Sequence, residues 1–236
     1  MFAANAETTS PHDLVAAAQR LRHAAHHERD ADALFDSLAD LDDELLCVLR
    51  EDGDAALAFW LNVHGALVDR GRGDGQTYCE VAGEVLSAER VKHGILRASR
   101  WKYGFGYLPD PLPGEFVRRH RLRELDERVH FATLAARHVP GMAVTFTAAN
   151  VDDELRTVTR QYLQKTTDYD PDAGVVAVPR VCLWYRGDFG GASGVLSLLA
   201  THGVIPVDAT PRLTYVTPTS GGDSAAPAER ARGGAR

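Results

Sequence analysis

The sequence predicts an α+β fold, with a helical N-terminal half holding a buried central helix packed against a small, mostly antiparallel sheet from the second half. Two observations carry this. Residues 55–68 are apolar apart from Asn62, His64 and Gly65, and a helix apolar almost all round is one buried on every side. Helical periodicity then dominates the first half, while short β-branched runs intermix only in the second.

In chain order, residues 1–9 are polar and read as a flexible N-terminus. Ser10-Pro11 is an N-cap followed by proline at the first helical position, opening a helix with Leu14, Val15, Ala18 and Leu21 on one face. His23, His26 and His27 fall at i, i+3, i+4 spacing, a pattern that can bind a transition metal. An exposed helix end, where histidine suits the negative dipole, is the favoured reading. A second helix is expected over residues 31–49, burying Leu34, Phe35, Leu38, Leu41, Leu45 and Val48. The central helix follows, ending at Arg70-Gly71-Arg72-Gly73-Asp74-Gly75. That glycine run lacks the GK[ST] ending of a phosphate loop and reads as a C-cap and linker.

A short helix-like segment is expected from Tyr78, and a further helix start at Ser87-Ala88-Glu89, with Val91, Ile95 and Leu96 as its apolar stripe. Residues 101–114 combine three prolines and three glycines with four aromatics. Flexible linkers lack so many large rings, so this is an ordered loop that can cover a pocket. Residues 115–128 are rich in arginine and acid and read as a solvated face. Val129 to Ala135 reads as a buried strand, Val139-Pro140-Gly141 as a break, and Val144-Thr145-Phe146 as extended. Asn150 is the expected cap of a helix with Leu155, Val158 and Tyr162 inside. Val175, Val176 and Val178 give a strand ended or edged by Pro179. Gly190 to Gly194 opens a helix through Thr201, and Arg212 to Val216 is the last strand. Residues 10–217 form one expected domain, and 218–236 a disordered tail of Gly, Ser, Ala, Pro and Arg.

The net charge of −7 argues against nucleic acid as a partner, since phosphate binding wants a positive surface. The N-terminus has neither the basic start nor the apolar core of a secretory signal, and no apolar run reaches membrane length. A soluble, cytoplasmic protein is expected. Three lysines against 23 arginines suggest a GC-rich genome, and Asp-rich stretches such as LADLDDE suit a salt-rich cytoplasm. Cys47, Cys79 and Cys182 are odd in number and widely spaced, so neither a disulfide framework nor a zinc ribbon is indicated.

Four segments occur in an order that resembles the family catalogued as domain of unknown function 547. They are Phe59-Trp60-Leu61-Asn62-Val63-His64-Gly65-Ala66-Leu67-Val68, Val91-Lys92-His93-Gly94-Ile95-Leu96-Arg97, Asp126-Glu127-Arg128-Val129-His130-Phe131-Ala132, and Val178-Pro179 with Trp184-Tyr185-Arg186-Gly187-Asp188-Phe189-Gly190. The resemblance spans about residues 50–217. It implies a fold more than a role, because the family's function is unassigned. The departures are chemical. Leu134-Ala135-Ala136 stands where the family has Asn-Cys-Gly, Val139 where it has a second cysteine, and His64-Gly65 where it has Tyr-Asn. A thiolate nucleophile activated by histidine is therefore unavailable at Ala135, and Cys47 and Cys182 lie among apolar residues that suit burial.

Asn62, His93, His130 and Asp188 are the polar residues expected around one cavity, each beside an apolar segment. Together they can form an oriented general base, with Asp188 fixing an imidazole and Asn62 donating to an oxyanion. The competing and favoured reading is structural: Asn62 ties helix to loop, His93 caps a carbonyl, and Asp188 caps the glycine-rich helix start. Arg97 and Arg128 can hold an anion, though salt bridges suit them better. The function expected is non-catalytic binding of a small molecule or protein, with no cofactor and no metal. The alternative is a hydrolase or transferase using a His–Asp base and water.

Overall fold

The computed structural model describes residues 10–27, 29–73, 78–138 and 145–217. The expected flexible N-terminus, the break at Val139-Pro140-Gly141, Val144 and the C-terminal tail lie outside the described residues.

Helix α1 (Pro11–His26) begins with a full capping box: the Ser10 hydroxyl accepts from the Asp13 amide, and the Asp13 carboxylate accepts from the Ser10 amide. It lies along α4 (Gly53–Gly73) in the most extensive helix–helix contact of the described residues. Gly65 makes this approach possible. A Cβ there would sit 2.5 Å from Arg22 Nε, and Arg22 crosses the bare backbone to donate to the Gly65 carbonyl (2.9 Å) and to Asp69.

The helix expected over 31–49 is instead three pieces: α2 (Asp32–Ala39), α3 (Asp43–Leu46) and a 3₁₀ turn (Cys47–Glu51). The break falls where the Asp42 side chain accepts from the Glu44 amide and restarts the helix. Leu38, Leu41, Leu45, Leu46 and Leu49 still reach the core, because the bend keeps them facing α4 and its neighbours. Helix α4 is the centre of that core. Ala55, Ala58, Phe59, Trp60, Val63, Ala66 and Leu67 are all buried, and the helix runs past Arg70 as far as Gly73.

The segment from Tyr78 is a hairpin rather than helix-like. Strands β1 (Tyr78–Val81) and β2 (Glu84–Ser87) pair antiparallel across Ala82-Gly83. Both turn residues have positive φ, 49° and 77°, the two-residue turn that suits strand twist. Ser87 then caps as expected, accepting from the Arg90 amide. A single turn α5 (Ala88–Arg90) passes into a π-helical turn, Val91–Leu96. After the turn-rich loop 101–114 and α6 (Glu115–His120), residues 129–135 form a helix, α7 (Val129–His138), not a strand. The Asp126 carboxylate accepts from the Arg128 amide at its start. Apolar runs this short fit either state, and here packing on α4 and α8 decides.

Helix α8 (Val151–Thr166) follows, but Asn150 does not cap it through its side chain. Glu154 reaches back instead, accepting from the Thr147 amide (2.8 Å) and hydroxyl (2.9 Å). Strand β4 (Val175–Pro179) is the middle of a three-stranded sheet, antiparallel to β3 (Asp168–Asp170) and parallel to β5 (Arg212–Val216), with Pro179 at its end. A parallel pair needs a crossover, and α9 (Val181–Trp184) and α10 (Gly191–Thr201) make it. The observed architecture is α+β, with two of its three strand pairs antiparallel. No helix among the described residues is long and apolar enough to cross a membrane.

Candidate functional site

The site is assembled where the β4–β5 crossover meets the π-turn and α7. Glu89, His93 and Arg97 follow one another at intervals of four, so helical geometry puts them on one face. Two strained features hold Arg97 there. The π-turn ends in Ala98 and Ser99, both left-handed at φ 50° and 60°. The amide and hydroxyl of Ser99 both donate to the Gly94 carbonyl (2.8 and 3.1 Å). Consecutive non-glycine residues in this region cost free energy, and such strain concentrates at functional sites.

Asp188 is the hub. Its Oδ2 accepts from Arg97 Nε at 2.6 Å and from His130 Nε2 at 2.7 Å, and all three side chains are fully buried. Arg97 Nη1 donates to His93 Nδ1 (2.7 Å), whose Nε2 lies 3.2 Å from Glu89 Oε2. The partners dictate the tautomers. His93 must present a lone pair to the guanidinium, so its proton sits on Nε2 and points at Glu89. His130 likewise donates from Nε2, leaving Nδ1 unprotonated. Tyr185 is clamped beside them, its ring stacked on His130 at 4.4 Å and covered by the Arg97 guanidinium at 4.3 Å.

The electrostatics fit this assignment. Burial lowers His130 to about 3, outweighing the favourable contact with Asp188. Burial also lowers His93, despite the hydrogen bond to Glu89. At Asp188, burial pushes the carboxyl up, but the hydrogen bonds from His130 and Arg97 together hold it below the usual range. Both imidazoles are neutral at pH 7 while Asp188 and Arg97 are ions.

Three polar atoms of this cluster are buried with no hydrogen-bond partner: Arg97 Nη2, His130 Nδ1 and Asp188 Oδ1. Loop 101–114 closes over Asp188. The Phe105 carbonyl accepts from the Gly187 amide (2.7 Å), and a Cβ on Gly106 would lie 2.5 Å from Asp188 Oδ1. The backbone at Gly106, with φ +84°, admits only glycine at this approach.

Of the four residues expected around one cavity, His93, His130 and Asp188 meet in this cluster. Asn62 has no hydrogen bond to it. Its Nδ2 donates to the Phe146 carbonyl (2.8 Å) and its Oδ1 accepts from the Phe146 amide (2.9 Å), which ties helix to loop. The alternative roles as caps do not apply. His93 bonds side chains rather than a carbonyl, and the Asp188 carboxylate is committed to Arg97 and His130. Arg97 and Arg128 are both salt-bridged, the latter to Asp126 and Asp152. Tyr185 and Glu89 were visible in the sequence but were not among the expected site residues, and Arg97 was expected there only as a candidate anion holder.

Ala135 is buried, and burial pushes the Cys79 and Cys182 thiols up to about 12. Next to the cluster lies an open cleft of about 1510 Å³, with Asp188 and Gly187 in its wall. Arginines 50, 118, 119, 121 and 123 also line it, and all five are exposed.

Comparison with known proteins gives one assignment. No curated protein and no solved structure matches the chain. A family model described as a protein of unknown function, DUF547, matches residues 50–163. That span includes the Asn62, His93 and His130 segments, while the Asp188 segment lies beyond it. Over residues 50–163, a little under half of its length, this chain is similar to the DUF547 family.

Proposed function

We propose that this is a non-catalytic binding domain whose cleft takes an anionic ligand or an acidic segment of a partner protein. The observation that carries it is the contrast between a sealed acid–base cluster and an open arginine-lined cleft. Arg50, Arg118 and Arg121 are exposed in that cleft and have no acidic partner among the described residues. Unpaired arginines on a concave surface are suited to carboxylate or phosphate groups. The cleft also carries Glu51, Asp54, Glu124 and Glu127, which disfavours a uniform polyanion and suits a ligand of defined shape.

One observation favours a second reading, general-base catalysis with water: the 2.7 Å contact between His130 and Asp188. A base must reach the proton it removes, however, and His130 Nδ1 is enclosed. Calorimetric titration with citrate, inorganic phosphate and an oligo-glutamate peptide tests the binding reading. At least one should bind the wild type, and Arg118→Ala/Arg121→Ala should weaken it about tenfold or more, as loss of two charge-assisted contacts implies. Ester or amide hydrolysis abolished by His130→Gln, with no anion binding, would replace this reading with the catalytic one.

A further inference from the structure

Away from the Asp188 cluster, Asp43, Cys47 and His120 bring a carboxylate, a thiol and an imidazole together, with one ligand atom from each within 4.8 Å of the others. Asp43 and Cys47 are four residues apart on the continuous stretch of α3 and the 3₁₀ turn, so they share a face. His120 is the last residue of α6 and enters from the opposite side. Its imidazole is held between aromatic rings, 4.4 Å from Phe116 and 6.3 Å from Trp60 by centroid, and its side chain is 2% exposed.

From this convergence we infer a binding site for one divalent transition-metal ion of the zinc class, built by Asp43, Cys47 and His120. Nitrogen, sulfur and carboxylate oxygen are the donor set zinc takes, whereas magnesium and calcium take oxygen alone. Cys47 is half-buried and the Asp43 side chain is 25% exposed, so the ion has an entry path and water can fill a fourth position. Zinc bonds of about 2.0–2.3 Å place tetrahedral donors roughly 3.3–3.8 Å apart. His120 Nε2 now lies 2.6 Å from Asp43 Oδ1, so an entering ion replaces that hydrogen bond with two metal bonds, and Cys47 moves in slightly. The Cys47 thiol gives its proton to solvent and binds as thiolate. The His120 proton moves to Nδ1, freeing the Nε2 lone pair. Arg119 pairs with Asp43 Oδ2, leaving Oδ1 as the ligating oxygen and fixing the carboxylate plane.

Asp43 and Cys47 precede the matched family span, which begins at residue 50, while His120 lies within it. The site does not depend on the anion-binding reading of the cleft.

The full chain, stripped with a chelator and titrated with cobalt(II), tests it. One equivalent should bind and give sulfur-to-cobalt charge-transfer absorption in the near ultraviolet. Cys47→Ser should remove that band and weaken zinc binding about 100-fold or more, at least the loss expected of outer contacts. Asp43→Asn should weaken binding without removing the band. His120→Ala leaves a gap beside Trp60 and Phe116, so Cys47→Ser, half-exposed and isosteric, is the deciding variant. Absence of stoichiometric binding overturns the site. So does binding that survives Cys47→Ser unchanged but is lost in His23→Ala/His27→Ala, which would place the ion on the α1 histidines.

Discussion

Two buried polar groups, Asn62 and Asp188, look alike by exposure and differ in how they are satisfied. Asn62 is 0% exposed, and both ends of its amide are matched by the N–H and C=O of the single residue Phe146. Asp188 is equally enclosed by side chain, yet its cluster leaves three polar atoms without partners. A closed pair of hydrogen bonds needs nothing further and serves the fold. An unsatisfied cluster of ions carries a desolvation penalty that a purely structural device would avoid. Strain collects at the second site as well, in the π-turn and in Ala98 and Ser99, whereas α4 around Asn62 is regular.

Truncating each hub measures the difference. Asp188→Ala strands a buried guanidinium and removes the acceptor of His130, and breaking a buried ion pair from one side costs about 3–5 kcal/mol. Asn62→Ala leaves one amide and one carbonyl of Phe146 unpaired, at about 1–3 kcal/mol. Urea unfolding of both variants provides the values. Equal losses would erase the distinction, and an unchanged Asn62→Ala would return Asn62 to the functional candidates.

The sequence made Asn62 conspicuous because a lone amide in an apolar helix has to be explained, and the Ser10-Pro11-His12-Asp13 start carried its whole capping box in four residues. The hairpin at Tyr78 was concealed by its turn. Ala82 sits at positive φ, where Asn or Asp before glycine would have announced the reversal. The alternation was present, since Cys79 and Val81 are buried while Tyr78 and Glu80 are not, but four residues are too few to outweigh helical neighbours. Val129 to Ala135 failed differently: β-branched and aromatic residues favour a strand locally, and the packing that makes α7 helical comes from residues far along the chain. At the candidate site, the residue types were legible and their wiring was not. Nothing local shows that Asp188, 91 residues beyond Arg97, accepts from both Arg97 and His130.

Acid separates the two hubs further. His130 has a folded-state pKa of about 3 against an unfolded value near 6.5. Below about pH 6.5 the unfolded chain therefore takes up a proton that the folded chain refuses. Stability is complete above that pH and falls as pH drops toward 3, by up to about 1.4 kcal/mol per pH unit from this group. Lowered His93 and His120 act in the same direction. Asp188, lowered in the folded state, contributes stability present above its unfolded value that is lost as pH falls through its folded one. Asn62 does not titrate. Urea midpoints at pH 7 and pH 5 should show a smaller acid loss in His130→Gln than in the wild type, and the same loss in Asn62→Ala. A wild-type midpoint flat from pH 7 to 5 would show that His130 is protonated on its partner in the folded state.

The smallest effect concerns Ala135, where the resemblance implies a cysteine. Ala135 is 1% exposed on α7, five residues after His130, which places the two about 140° apart around the helix axis. Introducing a thiol as Ala135→Cys therefore adds a group facing the core, away from the only histidine on that helix paired with Asp188. One extra atom in a packed interior costs about 1–3 kcal/mol at most, and the buried thiol should resemble Cys182, which burial pushes up to about 12. Alkylation of the native variant by iodoacetamide should be no faster at position 135 than at Cys182, with Cys47, half-buried, reacting first. Rapid modification at position 135 that His130→Gln abolishes would show instead that the Asp188 cluster can activate a nucleophile.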